Sequence, residues 1–126
     1  MLIQFSVENF RSFKDEVSLS MVASSIKESA QNVFKSSNLS LLKSAAIFGA
    51  NASGKTNLFL AMKFMKEFIW NSSKDSQVAE KIKVSPFRLS SETRDKPVSF
   101  EIIFIHDKIR YRYGFSLNEE RIIAEW

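Results

Sequence analysis

The sequence predicts an α/β domain: a mixed sheet, one main helix entered from a glycine loop, and an antiparallel β meander packed alongside. Three observations carry that expectation. An apolar run at 45–48 ends at Gly49, and helical periodicity starts at Gly54. Short runs at 2–7 and 17–22 alternate apolar and polar residues, as half-buried strands do. Three further alternating runs fill the stretch from 98 to 126.

The chain fits one domain, 1–126, and its 44% hydrophobic content with twelve phenylalanines supplies a core. It has no cysteine, which excludes a disulfide framework and a thiolate metal site and suits a reducing, cytoplasmic setting. No window approaches the roughly 18 uncharged apolar residues of a membrane span. The N-terminus lacks a basic stretch followed by an apolar one, so neither membrane nor secretion is indicated. A net charge of +4 comes from 18 scattered lysines and arginines, the pattern of a solvated face more than of a basic block.

In chain order, strands at 2–7 and 17–22 flank the polar turn "ENFRSFKDE". Residues 24–38 are serine-rich and aperiodic and read as a long surface loop pinned by Val33 and Phe34. The run at 45–48 reads as a buried strand. From Gly54, residues Leu58, Ala61, Met62, Met65, Phe68 and Ile69 recur at helical spacing, with Lys63, Lys66 and Glu67 opposite. Phe59, Leu60 and Phe64 widen the apolar arc, so more than one neighbour is expected to cover this helix. "NSSKDS" ends it, an irregular stretch runs to Pro97, and "HDK" and "SLNEE" join the three strands of the meander.

The chemistry lies in the loop. Gly49, Ala50, Asn51, Ala52, Ser53, Gly54, Lys55 and Thr56 satisfy G-x-x-x-x-G-K-[ST] in a strand-to-helix setting, the pattern of a polyphosphate-binding loop. Binding phosphates turns several backbone N–H groups inward at once, which demands backbone shapes that glycine adopts without penalty. The free N–H groups and positive end of the following helix face the same anion. Lys55 places an ammonium between the β- and γ-phosphates, and the Thr56 hydroxyl ligates Mg²⁺. The bland alternative is a glycine turn with a chance Lys-Thr.

The flanks add a resemblance. "NASGKTNLF", in which Asn57 follows the Lys-Thr pair, resembles the phosphate loop of RecF, SMC and ABC-type ATPase heads, and "FSVENFRSFKD" is similar to their first strand and turn. Together they resemble bacterial AAA-annotated ATP-binding proteins, some of which serve abortive infection and phage defence. The resemblance implies a P-loop NTPase fold, ATP and Mg²⁺ as ligands, ATP favoured over GTP, and Asn9, Arg11 and Ser12 beside the nucleotide. An arginine and two small polar groups are reasonable partners for phosphates; a solvated surface turn is the plain alternative.

Phosphoryl transfer in such proteins also needs an Asp-Glu pair ending a second strand. The nearest match, "IIFIHD", is followed by Lys108 and reads as a hairpin turn. A paired-glycine signature is absent too, since Gly114 is the only glycine after Gly54. His106 reads as a solvated turn residue. The alternating run reaches Trp126 with no closing turn, so the expectation is the N-terminal lobe of a longer head whose missing C-terminal half holds those groups, with a homodimer as the working state. The expected function is Mg-ATP binding, with hydrolysis only when the missing half or a partner completes the site. The alternative is a non-enzymatic nucleotide-sensing or nucleic-acid-binding module, in which Tyr111, Tyr113 and Phe115 beside Arg110 and Arg112 stack bases; the plain reading of those aromatics is core packing. A small-molecule kinase would need an arginine-bearing lid, and none is visible.

Overall fold

The computed structural model describes residues 1–25, 30–36, 38–72 and 81–126. Two strands open the chain, β1 (Leu2–Glu8) and β2 (Val17–Ser20), and a 3₁₀ turn at Ala30–Asn32 leads to β3 (Val33–Ser36) and β4 (Leu39–Leu42). A single helix, α1 (Lys55–Ser72), precedes β5 (Val98–His106), β6 (Ile109–Leu117) and β7 (Ile122–Glu125). The main sheet has the order β2-β1-β5-β6-β7, and β3 pairs with β4 separately. Every pairing among these strands is antiparallel, so the sheet expected to be mixed is antiparallel throughout the described residues.

Alternation along the strands produces two unlike faces. Val7 stands opposite Phe100, which stands opposite Phe115; Phe5 stands opposite Ile102, which stands opposite Tyr113. Directly opposed residues of antiparallel strands share a face, so these side chains form aromatic and aliphatic rows on one side. Helix α1 covers those rows with Leu58, Ala61 and Met65, one turn and then a further turn apart. Phe64 stacks on Phe100 at 5.2 Å between ring centres, and Phe68 lies 4.9 Å from Phe115. Phe10, from the turn after β1, adds an edge contact to Phe100 at 5.4 Å.

The other face is polar and centres on Glu101. Its carboxylate accepts hydrogen bonds from Arg112 Nε and from the Trp126 indole, each at 2.8 Å. The Trp126 ring lies across Gly114, where a Cβ would come within 2.6 Å of it, so the close approach requires glycine there. Burial opposes ionisation of Glu101, but the Arg112 and Trp126 hydrogen bonds and the Arg112 charge outweigh it and hold the carboxyl below its ordinary value of 4.5. The stabilisation is present above that ordinary value and is lost as pH falls through the lower folded-state value. Urea midpoints of the wild-type chain and E101Q, followed from about pH 7 to about pH 3, should therefore converge in acid. A gap that stays constant would mean that the ion pair contributes no stability.

Three further sequence expectations change. Residues 45–48 carry no strand, and Phe48 is 91% exposed; a strand needs a hydrogen-bonded neighbour, and no described strand pairs with this run. The expected loop at 24–38 contains strand β3, which pairs with β4 from Val33 opposite Leu42 to Ser36 opposite Leu39. Leu41, fully buried, anchors that hairpin and bridges to Val22. Residues 26–29 and 37 of that expected loop lie outside the described residues, as do 73–80 of the irregular stretch after the helix. Of the residues that widen the apolar arc of α1, Leu60 and Phe64 pack against the core, whereas Phe59 is exposed, at 61%.

Other expectations hold. The "HDK" segment is a tight hairpin turn in which Asp107 and Lys108 take φ of 48° and 65° between the paired His106 and Ile109. The "IIFIHD" run is thus the end of β5 entering a hairpin, and His106 is exposed.

Candidate functional site

The segment from Gly49 to Gly54 leads directly into α1. Its backbone turns through Ala52 at φ 64° and Gly54 at φ 94°, and the Ser53 N–H donates to the Ala50 carbonyl at 3.2 Å. The Gly54 carbonyl accepts the Leu58 N–H at 3.1 Å and opens the helix. Lys55 curls back over the loop: its Nζ donates to the carbonyls of Gly49 and Ala50, at 2.6 Å each, and lies 3.5 Å from Ser53 Oγ. Two carbonyls thus hold the ammonium against the loop backbone. No acidic residue occupies the first turn of the helix, so its positive end is left without a carboxylate of its own.

Both glycines have a steric reason. A Cβ on Gly49 would stand 2.8 Å from Ser53 Oγ, and one on Gly54 would stand 2.9 Å from the Phe13 ring. Gly54 also has the left-handed φ that side chains resist. Gly54→Ala is therefore expected to cost about 1–2 kcal/mol of stability and to loosen the loop. Urea denaturation checks it; a wild-type midpoint would show that the loop absorbs the methyl group.

The turn after β1 abuts this loop. Phe10 and Phe13 exchange backbone hydrogen bonds at 2.9 and 2.8 Å, which puts Arg11 and Ser12 at the tip. Ser12 Oγ accepts from Asn57 Nδ2 at 2.7 Å, tying the tip to the first turn of α1, and Phe13 packs on Gly54. Arg11 is exposed, with its N–H on the Ser85 carbonyl at 2.8 Å and its guanidinium 5.8 Å from the centre of the Phe10 ring. Four of the six positive-φ residues described, Asn9, Arg11, Ala52 and Gly54, lie in these two touching segments. Backbone strain concentrated in this way is a pointer to a binding site.

Asn9 is the exception among the residues expected beside the ligand. Its side chain is buried, with Nδ2 within hydrogen-bond distance of the carbonyls of Thr93, Lys96 and Pro97 and Oδ1 accepting from the Phe87 N–H. Its polar atoms hold segment 87–97. Sequence reasoning also passed over Phe13, the ring that closes on Gly54; its place in "NFRSF", one residue after Ser12, was the only signal.

Asn51, Ala52, Ser53 and Thr56 are exposed, and Asn57 is half-buried. The aromatic–arginine strip of β6 is divided between core, surface and the two faces of the sheet, with Arg110 and Tyr111 exposed. Phe115 is buried in the core, Tyr113 is half-buried, and Arg112, next along the strand, turns to the opposite face to meet Glu101. Among the described residues no group of three or more His, Asp or Glu converges on a metal position. A cavity of about 700 Å³ lies between the C-terminal half of α1 and the sheet and includes no loop residue. Among the described residues no helix is long and apolar enough to cross a membrane.

A family model described as "AAA domain, putative AbiEii toxin, Type IV TA system" matches residues 44–126, from the glycine loop through α1 to the end of the meander. Compared with curated proteins and with solved structures, the chain finds no match.

Proposed function

We propose, on the premise that the chain belongs to the AAA-domain family that its residues 44–126 match, that Gly49–Thr56 is a Walker A loop that binds Mg-ATP. The family is nucleotide-binding and ATPase-like and is related to abortive infection. The observation that carries the finer reading is the grip of the Gly49 and Ala50 carbonyls on the Lys55 ammonium at the start of α1. A lysine held there, beside a helix N-terminus with no carboxylate of its own, suits a polyphosphate.

In this reading the loop N–H groups from Asn51 to Lys55 receive the phosphates, Lys55 neutralises them, and the Thr56 hydroxyl would hold Mg²⁺. Arg11 and Ser12 flank the site from the turn, and Asn57 fixes Ser12 through its 2.7 Å hydrogen bond. Asn9 supports the turn from behind. Mg²⁺ would supply charge neutralisation at the phosphate oxygens.

The chain acts as the N-terminal lobe of a RecF/SMC/ABC-like head and binds ATP without turning it over efficiently. Support comes from residues 45–48, which carry no strand and leave Phe48 exposed, and from the exposed Phe59 of α1. Such surfaces suit a completing half that brings the acidic pair to the loop, in the same polypeptide or in a partner copy.

The test is an equilibrium titration with Mg-ATP that reads phosphate release in the same samples. Saturable binding with negligible turnover is the expected result. Hydrolysis at an ordinary enzymatic rate would overturn the idea that the catalytic groups lie elsewhere, and absence of binding would mean that the loop alone does not form the site.

A further inference from the structure

The ring that closes on Gly54 is held from behind. Phe10 and Phe13 exchange backbone hydrogen bonds at 2.9 and 2.8 Å, and Phe10 is buried, with its ring centre 5.4 Å from that of Phe100 and 6.0 Å from that of Phe64. Phe13 is therefore fixed to the core through its backbone, and its half-buried ring packs against the core cluster as well. The far edge of that ring meets the glycine: a Cβ on Gly54 would stand 2.9 Å from Phe13 Cε1, 3.3 Å from Phe13 Cζ and 3.4 Å from Ser12 Oγ. Ser12 Oγ in turn accepts from Asn57 Nδ2, in the first turn of α1, at 2.7 Å. Gly54 is bounded by the turn on one side and, through its carbonyl bond to the Leu58 N–H, tied to the helix on the other.

Gly54 is also where the backbone changes course. Its φ of 94° separates the irregular loop from the helical residues that start at Lys55. Rotation about that bond turns the Gly54 N–H relative to the Lys55 N–H, and an anion bound by the loop would collect both. Glycine has no Cβ to restrict the rotation, so the restriction has to come from neighbours. Phe13 and Ser12 are the side chains nearest to the place that a Cβ would take.

We propose that Phe13 is a positioning residue for the phosphate loop: the edge of its ring stands where Gly54 lacks a side chain and holds the backbone in the shape that presents both N–H groups to one anion. The inference rests on the reading of Gly49–Thr56 as a nucleotide loop, and it assigns Phe13 no contact with the nucleotide. A loop already held in its binding shape needs less ordering when the ligand arrives. Apparent affinity falls in proportion to the fraction of time for which that shape is lost.

The experiment compares Phe13→Leu with Phe13→Met. Leucine keeps an apolar group against the core but ends short of the positions of Cε1 and Cζ, whereas the flexible methionine reaches as far as the ring edge. Two quantities are read, the backbone order parameter of Gly54 without nucleotide and the Mg-ATP affinity, and urea midpoints verify that each variant folds. Rigid backbone gives an order parameter of about 0.85 and flexible backbone one below about 0.6. Gly54 is expected to move toward the lower value in Phe13→Leu and to recover in Phe13→Met. Affinity is expected to fall about tenfold in Phe13→Leu, as for a loop that keeps its binding shape about a tenth of the time, and to recover in Phe13→Met. Adding Gly54→Ala to Phe13→Leu should weaken binding little beyond the larger single effect, because both changes release the same constraint. Losses that multiply would overturn the proposal, as would an unchanged order parameter or an unchanged affinity in Phe13→Leu. A wild-type chain that binds no Mg-ATP, with the order parameters as expected, would sustain the hold on Gly54 and fail the nucleotide reading alone.

Discussion

Lys55→Ala is expected to weaken Mg-ATP binding by about 10- to 100-fold while leaving the urea midpoint nearly unchanged. The magnitude follows from two opposing terms. An ammonium on a phosphate oxygen contributes roughly 1.5–3 kcal/mol as a charge-assisted hydrogen bond. Against this, Lys55 already donates to Gly49 and Ala50 at 2.6 Å each, and it has to give up part of that before it reaches a ligand. A net loss of about 1.4–2.8 kcal/mol is one to two decades in dissociation constant. Stability responds little because those two carbonyls are at an exposed loop, where water replaces the lysine. Lys55→Arg should recover only part of the affinity, since a planar guanidinium does not fit a cradle that holds a compact ammonium. Titration of the three proteins with Mg-ATP decides this; equal affinities would move the nucleotide away from the loop.

The loop was legible in the sequence because its constraints are local. Gly54 needs a left-handed φ and room for Phe13, Gly49 needs room for Ser53, and the lysine follows at once, so the spacing alone carries the geometry. Strands β5 and β6 were legible for the same reason: period-two alternation is written residue by residue, and Asp107-Lys108 marks the turn between them. Where the outcome depended on distant partners, the sequence misled. The apolar residues 45–48 look like a strand, but strand state requires a neighbour's hydrogen bonds, and none of the described strands supplies them. β3 looks like loop because its Lys35 and Ser36 are polar, yet Leu39–Leu42 pairs with it, and buried Leu41 holds the hairpin in place. The turn at Arg11 and Ser12 was expected by resemblance to reach the loop, and Ser12 does contact Asn57. That resemblance did not tell which way each side chain of the turn points.

Asn9 shows the consequence most sharply, because its replacement separates a clasp from a ligand contact. At φ 54° it occupies a conformation that asparagine tolerates and alanine resists. Its amide lies 2.9 Å from the Thr93 carbonyl, 2.8 Å from that of Lys96 and 3.3 Å from that of Pro97, and its Oδ1 accepts from Phe87 N at 3.2 Å. Asn9→Ala leaves these buried groups unpaired and adds backbone strain, an expected loss of about 2–4 kcal/mol. Asn9→Gly removes the same hydrogen bonds but relieves the strain, so it should be milder than alanine by about 1 kcal/mol. Asn9→Asp keeps the conformation and turns a carboxylate toward three carbonyl oxygens, which should be at least as damaging as alanine. Urea midpoints in the order glycine, alanine, aspartate, with Mg-ATP affinity of the folded fraction retained, would establish the clasp. A stable Asn9→Ala protein that has lost nucleotide affinity would return Asn9 to the binding site, because only a direct ligand contact is lost without a stability cost.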